Sequence, residues 1–172
     1  NLTQFNKILL KDFRNFKNFN LDFNNNLNIL YGINGSGKTN ILESLSLFSK
    51  GRGFKNASFN ELIKNKKNNF FLNSEIEIEL SKFDVKVFTQ NNLNKWRKKI
   101  SVNDDIHKES IDFLYNSFSL LFFLPEMERL FVSSPFYRRN FIDKLIFSYN
   151  KFYNKLVNKY KKNLTERSRV LQ

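Results

Sequence analysis

The feature that most constrains this 172-residue chain is the placement of its five glycines, which all lie between positions 32 and 53. Residues 32–39 read G-I-N-G-S-G-K-T and match the pattern G-x-x-x-x-G-K-[ST] at every fixed position. With this chain's own composition, roughly 0.002 chance matches are expected over ~165 starting positions. Coincidence is therefore a poor explanation, and the motif requires a strand that enters the loop and a helix that leaves it.

The residues on either side of the loop have the patterns that this motif requires. Leu27–Tyr31 is an apolar run of strand length, and Thr39–Phe48 carries apolar residues at helical spacing. These helical positions are Ile41, Leu42, Leu45 and Phe48. The sequence therefore predicts a strand, a phosphate-binding loop and a helix in that order, which is an α/β arrangement.

The residue types in the loop indicate a site for nucleotide phosphates. Backbone N–H groups can converge on phosphate oxygens only where the chain bends tightly, and glycines permit that bend because they carry no Cβ. Lys38 is expected to contact the β and γ phosphates and to neutralise charge in the transition state, and the Thr39 hydroxyl is expected to bind Mg²⁺. The predicted site comprises Gly32, Ile33, Asn34, Gly35, Ser36, Gly37, Lys38 and Thr39.

Further strands are predicted before and after the loop. Residues 4–10 and 19–23 form two short strands that precede it, whereas 75–80, 84–88 and 98–102 alternate apolar and polar residues. The second set predicts an antiparallel meander with one polar face. Its glutamates are interpreted as a solvated strand face rather than a metal site: Glu75, Glu77 and Glu79.

The last third of the chain combines an apolar run with a long helical pattern. Ser119–Leu124 is predicted to be a buried strand, closed by a Pro-Glu pair. Apolar residues then recur with a mean spacing of about 3.67 residues, which predicts one long amphipathic helix or a helix pair from Pro135 to about Gln172. Ser134 is expected to cap this helical region with its hydroxyl group.

The chain is strongly basic, with 29 Lys and Arg residues against 16 Asp and Glu residues and a formal net charge of +13. This excess suits a polyanionic partner such as nucleic acid, but the abundance of Asn, Lys and Phe also fits a genome rich in A and T. Two basic clusters are candidates for contact with phosphate: Lys64, Lys66 and Lys67, and Arg97, Lys98 and Lys99. The lack of cysteine and the single histidine exclude a disulfide framework and the usual zinc sites.

The sequence carries no sign of a membrane segment. No apolar run approaches the ~20 residues needed to cross a bilayer, and no signal-peptide pattern opens the chain. We therefore expect a soluble, cytoplasmic protein with no membrane partner. The chain begins at Asn1 and ends within a helical pattern, so we expect it to be the amino-terminal part of a longer protein.

Several blocks of this sequence together resemble the RecF family of bacterial recombination mediators, whose head belongs to the ABC-type ATPases alongside SMC proteins and Rad50. The blocks are Lys11–Phe16, Asn34–Glu43, Lys50–Phe54 with Glu61–Ile63, Phe123–Glu126 and Ser134–Asp143. The resemblance implies a P-loop NTPase of the ABC-ATPase type, with a mixed sheet that includes an antiparallel meander, a helical lid subdomain, and an apparently truncated chain. We expect residues 1–105 to form the ATPase lobe and residues 106–172 to form the incomplete lid.

The resemblance also implies a function. It implies ATP and Mg²⁺ as cofactors, an ATP-dependent homodimer, and binding to DNA at gaps or junctions, both duplex and single-stranded. With RecR and RecO as partners, such a protein would help to load the recombinase RecA in DNA replication, DNA repair and the SOS response to DNA damage. The family places a basic residue close to the nucleotide, and Arg14 lies at that position.

This chain departs from the family pattern in its second half. The segment after Pro-Glu continues Met127-Glu128 where the family has Asp-Leu, and Ser133 replaces a glycine. No glycine follows Gly53, so the glycine-rich signature motif of ABC-type ATPases is absent from this sequence, as is the second carboxylate motif. The resemblance therefore implies ATP binding, with weak DNA-dependent ATPase activity only in the full-length dimer. Two alternatives stay open: an ATPase head of the SMC or Rad50 type, and the nucleotide-binding subunit of an ABC transporter.

Overall fold

The computed structural model of the chain describes residues 3–24, 27–65, 67–92, 95–124, 134–150 and 152–171. It divides into two compact units, Asn1–Phe118 and Ser119–Gln172. This division lies later than the expected boundary between residues 105 and 106. The reason is that the helix after residue 106 contributes Leu114, fully buried, to the core of the first unit.

Five strands form the antiparallel sheet of the first unit. They are β1 (Thr3–Phe13), β2 (Phe16–Asp22), β3 (Phe71–Ile78), β4 (Ser81–Asn92) and β5 (Lys95–Val102). Their order across the sheet is β2-β1-β3-β4-β5. The predicted meander is confirmed because β3 pairs with β4 and β4 with β5, both antiparallel. The two strands predicted before the loop correspond to β1 and β2, which also pair with each other.

One face of this sheet is apolar because side chains alternate along each strand. Leu72 and Ile76 of β3 and Val85 and Val87 of β4 lie on that face and are fully buried. Three helices accompany the sheet: α1 (Lys38–Ser46), α2 (Phe59–Leu62) and α3 (Lys108–Ser117).

The chain just after α1 joins this helix to the core. Leu47 and Phe48 are fully buried there, and the Phe48 ring meets that of Phe5 edge-on, with centroids 5.6 Å apart. Since α1 begins where the phosphate loop ends, this packing fixes the loop relative to the sheet.

Two predicted strands are wrong. Leu27–Tyr31 is not a strand in the structure, and its apolar side chains are exposed, with Leu27 at 73% and Tyr31 at 92%. Ser119–Leu124 is likewise irregular, with Phe123 at 76%. A strand needs a neighbour for its backbone N–H and C=O groups, and neither segment pairs with one in the part of the chain that the structure describes.

The helical region of the second unit is a pair of helices, one of the two predicted alternatives. α4 spans Pro135–Tyr149 and α5 spans Tyr153–Val170. Ser134 lies at the N-cap of α4 with an extended backbone, but its hydroxyl makes no capping hydrogen bond, so the predicted hydroxyl cap is wrong. Pro125 and Glu126 lie outside the described residues. None of the helices in the described ranges is both long and apolar enough to span a membrane.

Candidate functional site

The phosphate loop leads into α1 through two glycines with left-handed backbone conformations. Gly37 is the N-cap of α1 with a φ of 103°, and Gly35 has a φ of 84°. Residues that carry a Cβ enter this region only at an energetic cost. The glycines that the sequence motif contains are therefore the ones that this backbone path requires.

Gly37 is also crowded by the turn between β1 and β2. A Cβ atom at Gly37 would lie 2.6 Å from Cζ of Phe16 and 2.8 Å from Nδ2 of Asn15. The equivalent position at Gly35 has no atom within 4 Å. The turn therefore packs closely against the helix end of the loop and leaves its middle open.

Lys38 folds back across the loop that precedes it. Its Nζ donates to the carbonyl oxygens of Gly32 and Ile33, both at 2.8 Å. Thr39 is exposed at the start of α1. The structure thus brings the predicted residues 32–39 together, with an ammonium group held by the loop carbonyls and a hydroxyl group on the surface beside it.

The backbone amides of the loop are the main indication of an anion site. Within the described chain, six N–H groups of the loop and the first turn of α1 donate to no acceptor: those of Asn34, Gly35, Gly37, Lys38, Thr39 and Asn40. The first N–H groups of a helix have no intrahelical partner, and the helix dipole favours negative charge at this end. Together with the Lys38 ammonium, these donors fit nucleotide phosphates, and the Thr39 oxygen is a ligand type that Mg²⁺ accepts.

Asn15, in the turn between β1 and β2, links that turn to the loop. Its Nδ2 donates to Ser36 O at 3.4 Å, and its Oδ1 accepts from Asn40 Nδ2 at 2.9 Å. Its own carbonyl oxygen accepts from Lys64 Nζ at 2.7 Å. Asn15 was not among the residues predicted from the loop motif, because a turn that precedes the loop by about 20 residues is placed there only by the sheet.

Arg14, expected close to the nucleotide, lies in the same turn and binds α1. Its Nε and NH2 donate to the two carboxylate oxygens of Glu43 at 2.9 and 2.7 Å, and its NH1 donates to Glu61 O at 3.1 Å. The structure therefore places Arg14 one residue from the Asn15 contact with the loop. It also shows what the guanidinium group does there, which is to hold a carboxylate.

Glu43 is a functional candidate that the helical pattern did not indicate. Its side chain is 1% exposed, whereas Leu42 is 43% exposed. Leu42 belongs to the apolar pattern of α1 but is exposed, and the acidic residue beside it is buried instead. The sequence does contain an indication of this burial. An acidic residue interrupts the apolar pattern of α1, and an arginine that can pair with it lies in the turn between β1 and β2.

The basic cluster on β5 splits between the two faces of the sheet. Lys98 lies on the core side, where its Nζ donates to Ser49 O at 2.7 Å and Leu47 O at 3.0 Å. Burial lowers the pKa of Lys98 to about 8. Arg97 and Lys99 are exposed because alternate residues of a strand face opposite sides.

The other basic cluster contacts the end of β1 and the turn that follows it. Lys64 donates to Asn15, as described above, and Lys67 Nζ lies 3.9 Å from a carboxylate oxygen of Asp12. Lys66 lies outside the described residues. These lysines therefore support the turn beside the phosphate loop.

The glutamates of β3 have polar partners on the open face of the sheet. Asn6 Nδ2 donates to Glu75 Oε1 at 2.9 Å and to Glu77 Oε2 at 3.2 Å, and Lys82 Nζ lies 3.0 Å from Glu75 Oε1. The hydrogen bonds from Asn6 and Lys82 lower the pKa of Glu75. Among the described residues, no group of three or more His, Cys, Asp or Glu side chains could hold a metal ion.

Comparison with known families gives a match over two thirds of the chain. The family model described as the RecF/RecN/SMC N terminal domain matches residues 4–117. This span contains the five-stranded sheet except its first residue, Thr3, together with the phosphate loop and the helices α1, α2 and α3.

Individual relatives match over nearly the full chain. The DNA replication and repair protein RecF of Rickettsia canadensis (strain McKiel) is 34% identical over 168 residues, which cover 95% of this chain and 44% of the relative. The RecF protein of Clostridioides difficile (strain 630) is 34% identical over 163 residues, covering 95% of this chain and 43% of the relative. The chain thus spans less than half the length of these curated relatives.

Two solved structures confirm the predicted α/β fold with its antiparallel sheet. The structure of the recombination mediator protein RecF-ATPrS in the RecFOR pathway matches with a TM-score of 0.77 and 28% identity, over 96% of this chain and 44% of that chain. The structure of RecF-ATP in the same pathway matches with a TM-score of 0.73 and 28% identity, over 99% of this chain and 46% of that chain.

Proposed function

Because the chain belongs to the RecF/RecN/SMC N-terminal domain family, we propose that it binds ATP at its phosphate loop and acts in DNA replication and repair. The observation that carries this proposal is the loop itself. It presents a set of backbone N–H donors without acceptors in the described chain, at the start of a helix and around the Lys38 ammonium. Solved relatives at 28% identity were obtained with ATP or ATPrS, which supports the choice of nucleotide.

The residues of the loop would bind different parts of the nucleotide and its metal ion. The amides of residues 34, 35 and 37–39 would hold phosphate oxygens, and Lys38 would exchange its two carbonyl contacts for the β and γ phosphates. Thr39 would contribute its hydroxyl to Mg²⁺. The bound cofactor would supply the phosphoryl group and the metal charge, and the loop would orient both.

DNA is the proposed macromolecular partner. The net charge of +13 supports a polyanion, and exposed Arg97 and Lys99 have no acidic partner among the described residues. We infer binding at gapped or junction DNA, including its single-stranded part, by an ATP-dependent homodimer in the cytoplasm. RecR and RecO are the proposed protein partners, and RecA loading during repair and the SOS response is the proposed outcome. A solved relative is a recombination mediator in the RecFOR pathway, which supports this choice.

The test is fluorescence anisotropy of a labelled gapped duplex titrated with the intact gene product at fixed salt, with and without ATP and Mg²⁺. We expect ATP to strengthen binding and the Lys38→Met variant to lose that response while keeping its ATP-independent binding. Lys50→Met, which removes an exposed lysine just beyond α1, is the matched control. Binding that ignores both ATP and Lys38 would contradict a nucleotide-dependent DNA function.

A second candidate is an ATPase head of the SMC or Rad50 type. It is favoured by the family model, whose description joins RecF with RecN and SMC proteins. The same titration separates the two functions when linear duplex replaces the gapped DNA. Equal affinity for both substrates would favour the SMC-like function, and preference for the gap would favour the mediator.

A further inference from the structure

We propose that Arg14 and Glu43 form a positioning pair, which holds the turn between β1 and β2 against the phosphate loop and thereby sets the affinity of the loop for nucleotide. This inference rests on the proposed binding of ATP at that loop. It assigns to Arg14 a role that acts through the protein rather than by contact with the nucleotide.

The geometry of the pair is that of a fixed connection. Two parallel hydrogen bonds of 2.9 and 2.7 Å join the Arg14 guanidinium to the Glu43 carboxylate. The side chain of Glu43 is 1% exposed and that of Arg14 is 23% exposed. A bidentate pair in such surroundings fixes both the distance and the relative orientation of its partners. It therefore ties the turn to the middle of α1.

The guanidinium group is already occupied by the protein. Its Nε and NH2 bind Glu43, and its NH1 donates to Glu61 O at 3.1 Å. If Arg14 left to bind a nucleotide, the buried carboxylate of Glu43 would keep one cationic partner among the described residues, Lys55, whose Nζ lies 3.6 Å away. Removing one partner of a buried pair is strongly destabilising because the remaining charge is uncompensated. The structure thus favours a supporting role for Arg14.

The residue that contacts the loop directly follows Arg14 in the turn, so the pair fixes the position of that contact. Arg14 has a left-handed backbone with a φ of 51°, and its N–H donates to Leu62 O at 2.7 Å. The next residue, Asn15, contacts Ser36 and Asn40, and the ring of Phe16 would lie 2.6 Å from a Cβ at Gly37. A shift of the turn would therefore release the contacts that shape residues 36 and 37.

The test is titration of the intact gene product with the fluorescent nucleotide mant-ATP, and with AMP in competition. Glu43→Gln and Arg14→Lys each weaken the pair, and we expect each to lower ATP affinity by roughly tenfold. The double variant is expected to bind ATP with about the same affinity as the single variant that binds ATP less tightly. The two losses do not add because the two residues act as one unit. AMP affinity is expected to stay within about twofold, because the loop backbone and Lys38 cradle the β and γ phosphates, which AMP lacks.

Two further variants separate positioning from general stability. Glu61→Gln makes the same carboxylate-to-amide change at a residue that offers Arg14 only its backbone carbonyl, and its ATP affinity is expected to match the wild type. Asn15→Ala keeps the buried pair and removes the side chain that touches the loop. We expect it to weaken ATP binding at least threefold with an unchanged melting temperature, and this expectation holds even where the Glu43 variant fails to fold.

Three outcomes would overturn the inference. If Glu43→Gln binds ATP as well as the wild type while Arg14→Lys binds weakly, Arg14 is a direct ligand. If ATP and AMP affinities fall together, the pair does not act through the phosphate loop. If the wild type binds no mant-ATP and Lys38→Met changes nothing, the proposed function itself fails, which is a result distinct from either of the others.

Discussion

Substitution of Gly37 by alanine tests the structural account of the phosphate loop in quantitative terms. The φ of 103° costs a residue with a Cβ about 1–2 kcal/mol. The new methyl group would also lie 2.6 Å from Phe16 and 2.8 Å from Asn15, and such overpacking costs about 1–3 kcal/mol. Alanine also lowers the conformational entropy of the unfolded chain, and this effect offsets about 0.4–1 kcal/mol of the loss. The expected net loss of unfolding free energy is therefore about 1–5 kcal/mol.

Gly35→Ala is the matched control, because its φ of 84° carries the same kind of backbone cost with no atom within 4 Å of the added methyl group. We expect it to lose about 0–1.6 kcal/mol, which is about 1–3 kcal/mol less than the loss in Gly37→Ala. Urea unfolding of both variants and the wild type, followed by circular dichroism, measures the difference. Equal losses for the two variants would refute the claim that the β1–β2 turn packs tightly against residue 37.

Two other predictions concern stability. The pKa of Lys98 is lowered to about 8 in the folded protein, whereas that of an unfolded lysine is about 10.4. Between pH 8 and about 10.4, the unfolded state therefore binds more protons than the folded state. The unfolding free energy of the wild type should therefore rise from pH 8 to 9.5 relative to Lys98→Met, by up to about 2 kcal/mol. Urea midpoints at both pH values measure this, and parallel pH profiles would contradict it. Leu80, in the turn between β3 and β4, is 92% exposed with a φ of 69°. Leu80→Gly should raise the unfolding free energy by about 0.5–1 kcal/mol, and a lower melting temperature would show that the turn is not strained.

The parts of the fold that were predictable are those that depend on local patterns. Alternation over β3 and β4 identified the meander because each strand places one set of side chains in the core. The loop motif identified the start of α1 and the left-handed glycines before it, because few other backbones need glycines at those spacings. The helix pair was one of two alternatives, since periodicity alone does not show where a helix is interrupted.

The errors arise where the structure depends on contacts distant in sequence. Leu27–Tyr31 and Ser119–Leu124 have strand-like composition, but a strand forms only beside a pairing partner, which neither has among the described residues. The burial of Glu43 instead of Leu42 depends on Arg14, which the sheet brings to α1 from 29 positions away. The inward orientation of Lys98 depends on carbonyl groups at the end of α1 that only the folded chain presents.

The most direct test of the central claim is the affinity of the intact gene product for ATP, measured by isothermal titration calorimetry with and without Mg²⁺. The account predicts saturable binding that Mg²⁺ strengthens, and a loss of at least tenfold in Lys38→Met with no change in Lys50→Met. It also predicts that inorganic triphosphate competes with ATP, because the loop amides and Lys38 recognise phosphate. Unaltered ATP binding in Lys38→Met, or no binding by the wild type, would contradict the assignment of residues 32–39 as a nucleotide site.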